Sequence, residues 1–271
     1  MNNFIQLFFI LFILQTSNAQ NKEETNGNSL LVQLSNEIIN SESDTVKQII
    51  TKKFNSELLK VINQSKSYLL DFNQIEILSV LQPKDKRFKI FTWFTPYKNA
   101  KYQYFGLIQM CKKNGKKCII FNLSTNNFSD NLLQHELSID QWYGCMYYDL
   151  IPIKINKQIY YTLLGWDGNN SQTTKKIIDV LKFSPDKSPS FGANIFNQKE
   201  KRIIIEYNSK YPISLKYMKD IECIVYDHTQ PLDEVSLNNF SLYAPNLSYN
   251  VLQKTKKGWL LEKSIYLNNK K

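Results

Sequence analysis

The sequence predicts a mainly β protein: an antiparallel, multi-stranded body (sandwich, barrel or propeller-like) behind an α-helical N-terminal extension. Three observations carry this prediction. Between residues 30 and 72 the apolar positions fall three and four apart, as on one face of a helix. From residue 73 onward, short runs rich in Ile, Val, Tyr, Phe and Trp recur between turn signals. No segment alternates strand and helix as a parallel sheet requires.

The elements follow in chain order. Leu7 to Leu14 is an unbroken apolar run, and Ser17-Asn18-Ala19 ends it with the small residues a signal peptidase accepts. Residues 1–19 are therefore expected to be a signal peptide cut after Ala19, and the run is too short to span a bilayer, which takes about 20 residues. No Lys or Arg precedes it, so only the N-terminal amine supplies positive charge there. The expected location is periplasmic or secreted, with no transmembrane segment left after cleavage. Residues 20–29 are polar and aperiodic, a leader. Leu30, Leu31, Leu34, Ile38 and Ile39 suggest one amphipathic helix, and Val46, Ile49, Ile50, Phe54, Leu58, Val61 and Ile62 a second, with Ser43 and Asp44 as N-cap candidates.

The β body is expected over residues 73–271. Its strand candidates are Ile75–Leu81, Arg87–Thr95, Gln103–Met110, Lys117–Leu123, Tyr143–Ile151, Ile159–Trp166, Ile177–Phe183, Arg202–Tyr207, Glu222–Asp227, Tyr249–Thr255 and Trp259–Ser264. One helical interruption is expected around Asp130–Ile139. Asn114-Gly115 is a strong two-residue hairpin signal, because both central positions of a type I′ turn need positive φ. Counting outward from it sets Cys111 opposite Cys118 at a hydrogen-bonded pair, with Cα atoms about 5.5 Å apart. That distance lies within disulfide range, so a cross-strand Cys111–Cys118 bridge is expected. Cys145 and Cys223 either bridge or stay thiols. Close C-x-x-C spacing is missing, so no zinc site is expected.

The net charge of +10 comes from dispersed lysines at turns, a solvated surface rather than a polyanion site, and no nucleic-acid partner is implied. No phosphate-cradling loop, serine elbow or His-Glu-x-x-His stands in the chain, and nothing in it calls for a cofactor or metal. Asp167, Asn169 and Ser171 mimic the start of a calcium loop, but Gln172 and Ile178 stand where Gly and a bidentate acid belong. The densest stretch is 141–179. Adjacent pairs there such as Tyr147-Tyr148 point to opposite faces of a strand, so one enters the core and the other stays on the surface. Trp142, Tyr143, Trp166, Asp167, Asn169 and Asn170 are the candidate contact surface for a glycan or peptide, where rings stack and amides hydrogen-bond. Asp227 and His228 are the candidate acid–base pair. Asp149, Asp167 and Asp227 are candidate glycosidase carboxylates, whose separation a sequence does not measure.

Read in order, Phe88-Lys89-Ile90-Phe91-Thr92-Trp93, Trp142-Tyr143-Gly144, Tyr160 to Asn169 (YYTLLGWDGN), Lys175 to Leu181 (KKIIDVL) and Val225-Tyr226-Asp227-His228 resemble a family of exported proteins from Bacteroidetes-type Gram-negative bacteria. The resemblance covers about residues 75–265 and implies export and a single β body. That family has no assigned activity, so no site residue carries over from it. Together these readings lead to the expectation of a non-catalytic binding or envelope-associated module, with an unknown envelope partner or a glycan or peptide ligand. The alternative is a hydrolase of envelope glycans.

Overall fold

The computed structural model describes residues 28–64, 67–111, 117–125 and 132–265. The expected signal peptide, most of the polar leader and the Asn114-Gly115 turn lie outside them. The chain divides into two units, one of residues 1–77 with 112–118, the other of residues 78–111 with 119–271.

The first unit holds α1 (28–40) and α2 (Asp44–Asn63). Ser43 caps α2 by accepting from the Val46 amide, and Asp44 in the first turn complements the helix dipole. One stripe of each helix is buried: Leu31, Leu34 and Ile38 on α1, and Phe54, Leu58, Val61 and Ile62 on α2. Val46 and Ile49, which the spacing assigned to the apolar face, are 44 % and 64 % exposed. No helix among the described residues is long and apolar enough to cross a membrane.

The β elements form three antiparallel sheets, each a run of consecutive strands. The first is β1 (Leu78–Leu81), β2 (Lys89–Tyr97), β3 (Lys101–Cys111) and β4 (Cys118–Leu123) in that order. The middle sheet runs β5 (Met146–Ile155), β6 (Gln158–Asp167), β7 (Thr173–Phe183) and β8 (Pro189–Phe191), with β9 (Ile203–Asn208) also paired to β7. The last is β10 (Leu215–Met218), β11 (Cys223–Pro231), β12 (Tyr243–Thr255) and β13 (Gly258–Ile265). The short strands β8 and β10 carry no sequence signal of their own. The β5–β6 turn is Asn156-Lys157, both at positive φ (48° and 70°), as a two-residue hairpin demands. In place of the expected helix, residues 132–135 form a turn, Leu137 bridges to Phe191, and Ile139–Gln141 makes one 3-10 turn.

The middle sheet is apolar on both faces. One core joins Phe88, Ile90 and Ile108 of the first sheet to Tyr147, Tyr161, Leu163, Ile177 and Leu181 of the middle one. The other joins Ile151, Ile153, Leu164, Ile178 and Val180 to Leu215, Ile224, Tyr226, Leu252 and Trp259 of the last. Burial on both faces is why β6 and β7 read as nearly continuous apolar runs instead of alternating ones. On β5, Tyr147 faces the first core while Ile151 and Ile153 face the second. The pairing register shifts between Tyr147 and Asp149, and that bulge swaps the parity of the strand.

Inside the first core lies an ion pair, Arg202 to Asp179, with both side chains fully buried and Nε 3.2 Å from Oδ1. Arg202 Nη1 donates to the carbonyls of Leu132 and His135 (2.8 Å to the latter), and Nη2 to that of Phe191 at 3.1 Å. Asp179 Oδ2 accepts from Tyr147 Oη at 3.1 Å, and that hydroxyl accepts from Trp142 Nε1 at 3.2 Å. A Cβ on Gly192 would sit 2.6 Å from Arg202 Nη2, and its φ of +89° independently favours glycine.

Neutralising one member of this pair leaves the other charge buried and alone. Asp179→Asn and Arg202→Met should therefore each cost about 3–5 kcal/mol in urea unfolding, and the double variant less than the worse single one. On the surface, burial works to raise the Glu136 carboxyl, but hydrogen bonds from Lys182 and Lys201 outweigh it and hold the group below its ordinary value. A depressed carboxyl contributes stability above its unfolded pKa and loses it as the pH falls through the folded one. Glu136 is 40 % exposed, so solvent screening keeps this below about 1 kcal/mol. Glu136→Gln should lower the urea midpoint slightly at neutral pH and leave it unchanged once the carboxylates are protonated.

Candidate functional site

Cys111 and Cys118 form the expected disulfide. Cys145 and Cys223 are free, buried thiols. Burial pushes both thiols up, and at Cys145 the nearby Asp179 and Asp167 add to the rise. A nucleophilic cysteine needs the opposite shift.

The six proposed contact residues separate. Trp142 is fully buried and Tyr143 is 9 % exposed, so neither presents a ring to solvent. Both serve the first core, Trp142 through Tyr147 and Tyr143 by donating its hydroxyl to Asp167 Oδ2 at 3.0 Å. Burial first, and then the Asp167 charge, raise the Tyr143 hydroxyl well above its usual range. Trp166 is half-buried and meets Phe94 and Tyr102 edge-on, with ring centroids 5.6 Å and 5.4 Å away. The Tyr102 ring packs against Gly168, where a Cβ would come within 2.3 Å of it. The Gly168 amide donates to Tyr104 Oη at 2.7 Å.

Asp167 to Thr173 is a turn closed by its own side chains. Asp167 Oδ1 accepts from the Asn169 amide at 2.9 Å, and Asn170 Oδ1 from those of Gln172 and Thr173 at 2.8 Å and 3.0 Å. Asn169 Nδ2 and Thr173 Oγ1 both donate to Glu206 Oε1, at 3.2 Å and 2.7 Å, while Lys175 Nζ stands 3.5 Å from Oε2. Of the two asparagines chosen as contacts, Asn169 thus helps hold Glu206 of β9 in place, while Asn170 shapes the turn.

Glu206 leads to a cleft of about 230 Å³ bounded by β9, β11 and β12. Its apolar walls include Ile203, Ile205 and Leu261, its aromatic ones Tyr226, Phe240 and Tyr243, and its polar ones Gln198, Glu206, His228, Thr229 and Asn250. Asn250 is 7 % exposed and links two of these. Its Oδ1 is 3.1 Å from His228 Nδ1, and its side chain is also hydrogen-bonded to Tyr226. Burial pushes Tyr226 up to about 12 against the lowering pull of that bond. Asp227 does not share the cleft with His228. Asp227 Oδ2 instead accepts from the Ser214 amide at 2.6 Å, and the pairing register shifts between Asp227 and Thr229, so that His228 and Thr229 both line the cleft. Asp149 and Asp167 do not line it either. The other histidine, His135, is exposed and enters the structure through its backbone carbonyl.

The β11–β12 hairpin end exposes several apolar side chains. Leu232, Val235, Leu237 and Leu247 are 64 %, 96 %, 65 % and 87 % exposed. Between Lys219 and Lys254 the chain has five acids and no Lys or Arg. Among the described residues no three His, Cys, Asp or Glu side chains gather as metal ligands would. No protein-family model, curated protein or solved structure matches the chain.

The packing of Tyr102 on Gly168 sets a direct check. Gly168→Ala should overpack that contact, cost about 1–3 kcal/mol in chemical denaturation, and change the emission of Trp166 beside it.

Proposed function

We propose that the protein is an exported, non-catalytic binding module of the bacterial envelope, and that its ligand site is the cleft between β9, β11 and β12. The observation that carries this reading is the linked series Tyr226–Asn250–His228 along the wall of a concave, partly apolar site. A few oriented polar groups in an otherwise apolar cleft are what ligand recognition uses. Glycoside hydrolysis takes two carboxyl groups about 5–10 Å apart. Here Glu206 is the single carboxylate among the lining residues, with Oε1 held by the neighbouring turn and Oε2 facing Lys175 of β7. The apolar run of residues 7–14, the small residues before Gln20 and the Cys111–Cys118 disulfide support export, because disulfides persist in oxidising compartments.

Two measurements test the reading. Expressed with its first nineteen residues in a Gram-negative host, the chain should be recovered outside the cytoplasm with Gln20 as its N-terminus by mass spectrometry. Recovery of the full-length chain from the cytoplasm would sink the export half. In calorimetric titrations, a polysaccharide or peptide fraction of the envelope should bind, and Thr229→Trp, which fills the cleft, should abolish that binding while leaving the melting temperature near the parent's. Phe240→Ala, at the exposed rim, should weaken it without threatening the fold. Binding untouched by either variant removes the cleft from the function, and release of new reducing ends replaces the module with a hydrolase.

A further inference from the structure

We infer that the cleft takes a neutral, hydroxylated six-membered ring, such as one hexose unit of a glycan, with His228 Nε2 accepting one of its hydroxyls. This deepens the binding reading above and rests on it. The first step is the tautomer of His228. A side-chain amide oxygen only accepts, so the contact of Asn250 Oδ1 with His228 Nδ1 places the ring proton on Nδ1. With its oxygen committed to His228, Asn250 has its NH2 for the Tyr226 hydroxyl, and a donor there is what lowers the Tyr226 pKa. Asn250 is thus pinned from both sides, and it orients the imidazole. A neutral imidazole protonated at Nδ1 carries a lone pair on Nε2. Among the described residues Nε2 has no hydrogen-bond partner, and the histidine lines the cleft. A ligand must bring the donor.

Charge selects among donors. No Lys or Arg lines the cleft, so an anion finds no counter-charge there. An ammonium gains little either, because Glu206 already accepts from Thr173 and Asn169 and faces Lys175 at 3.5 Å. A hydroxyl remains, neutral and able to donate to Nε2 while accepting from the Gln198 amide. Size and shape narrow it further. About 230 Å³ lies below the range of drug-sized pockets, which begins near 300 Å³, and suits a single ring. Phe240 and Tyr243 pack with centroids 4.9 Å apart, and Phe240 stays 37 % exposed at the rim, an aromatic face against which the C–H side of a sugar can lie.

The test holds the ring constant and varies its charge. The full chain, labelled with 15N-histidine, is titrated with methyl glucoside, glucuronate and glucosamine. Methyl glucoside should shift the His228 Nε2 resonance and bind at least tenfold more tightly than glucuronate, and no less tightly than glucosamine. His228→Ala should weaken methyl glucoside at least tenfold. Asn250→Ala should do the same and also change the Nδ1/Nε2 proton distribution in the free protein, a readout that a merely structural role would not move. Should either variant unfold, Phe240→Ala at the exposed rim must still weaken methyl glucoside severalfold. Glucuronate or glucosamine binding more tightly at His228 overturns the neutral-ring inference and leaves the binding module standing. If none of the three rings perturbs His228, the inference falls, and the envelope-fraction titrations decide separately whether the module reading falls with it.

Discussion

The buried pair of Arg202 and Asp179 is the constraint on which the β body depends. Removing two charges from water costs several kcal/mol per ion, and attraction offsets that only when the remaining hydrogen-bonding capacity is used. Arg202 supplies donors to three backbone carbonyls besides the carboxylate, and Asp179 accepts from Tyr147 and from the Val180 amide. Those carbonyls lie on the connection between the first and middle sheets and on β8. A stretch with almost no regular secondary structure is therefore tied to the sheet by this guanidinium together with the Leu137–Phe191 backbone bridge. Arginine suits the position because its planar fork presents several donors in fixed directions, which an ammonium does not.

Stacked on that pair, the middle sheet sets the geometry of everything else. It contacts the first sheet through one face and the last through the other, and the bulge at Tyr148 lets β5 serve both. Polar links cross at chosen points: Tyr147 N to Thr92 Oγ1 on one side, Trp259 Nε1 to Thr162 Oγ1 on the other, at 3.0 Å and 2.8 Å. The cleft arises where β9, at an edge of the middle sheet, faces β11 and β12. A neighbouring turn holds its one carboxylate, and a buried amide holds its histidine.

Much of the fold was legible in the chain. The long strands announce themselves by β-branched and aromatic runs, and the disulfide by counting outward from Asn-Gly. The short strands β8 and β10 escaped because three or four residues carry no usable period. The helix expected near residue 135 failed because Arg202 takes the backbone carbonyls that a helix would use itself. The site was less legible. Trp142 and Tyr143 read as a surface row on the assumption that one face of the hairpin meets water, whereas this sheet is covered on both faces. His228 was visible as a rare residue, but its neighbour Asp227 was the wrong companion. Asn250 lies twenty-two positions away on the adjoining strand, and only the β11–β12 register brings the two together. Glu206 had no signal at all, since its role comes from a turn more than thirty residues earlier.

The arrangement of the four cysteines bears on how the chain matures. Four thiols allow three complete pairings. The pair that bonds is separated by six residues, so it closes a small ring and meets quickly, ahead of any partner farther along the chain. Cys145 then disappears into the core between the first two sheets, and Cys223 into a separate cluster of the last. Folding removes both from further exchange and from each other. The bridge is therefore a local clasp between β3 and β4, and the two remaining thiols are kept apart in separate cores.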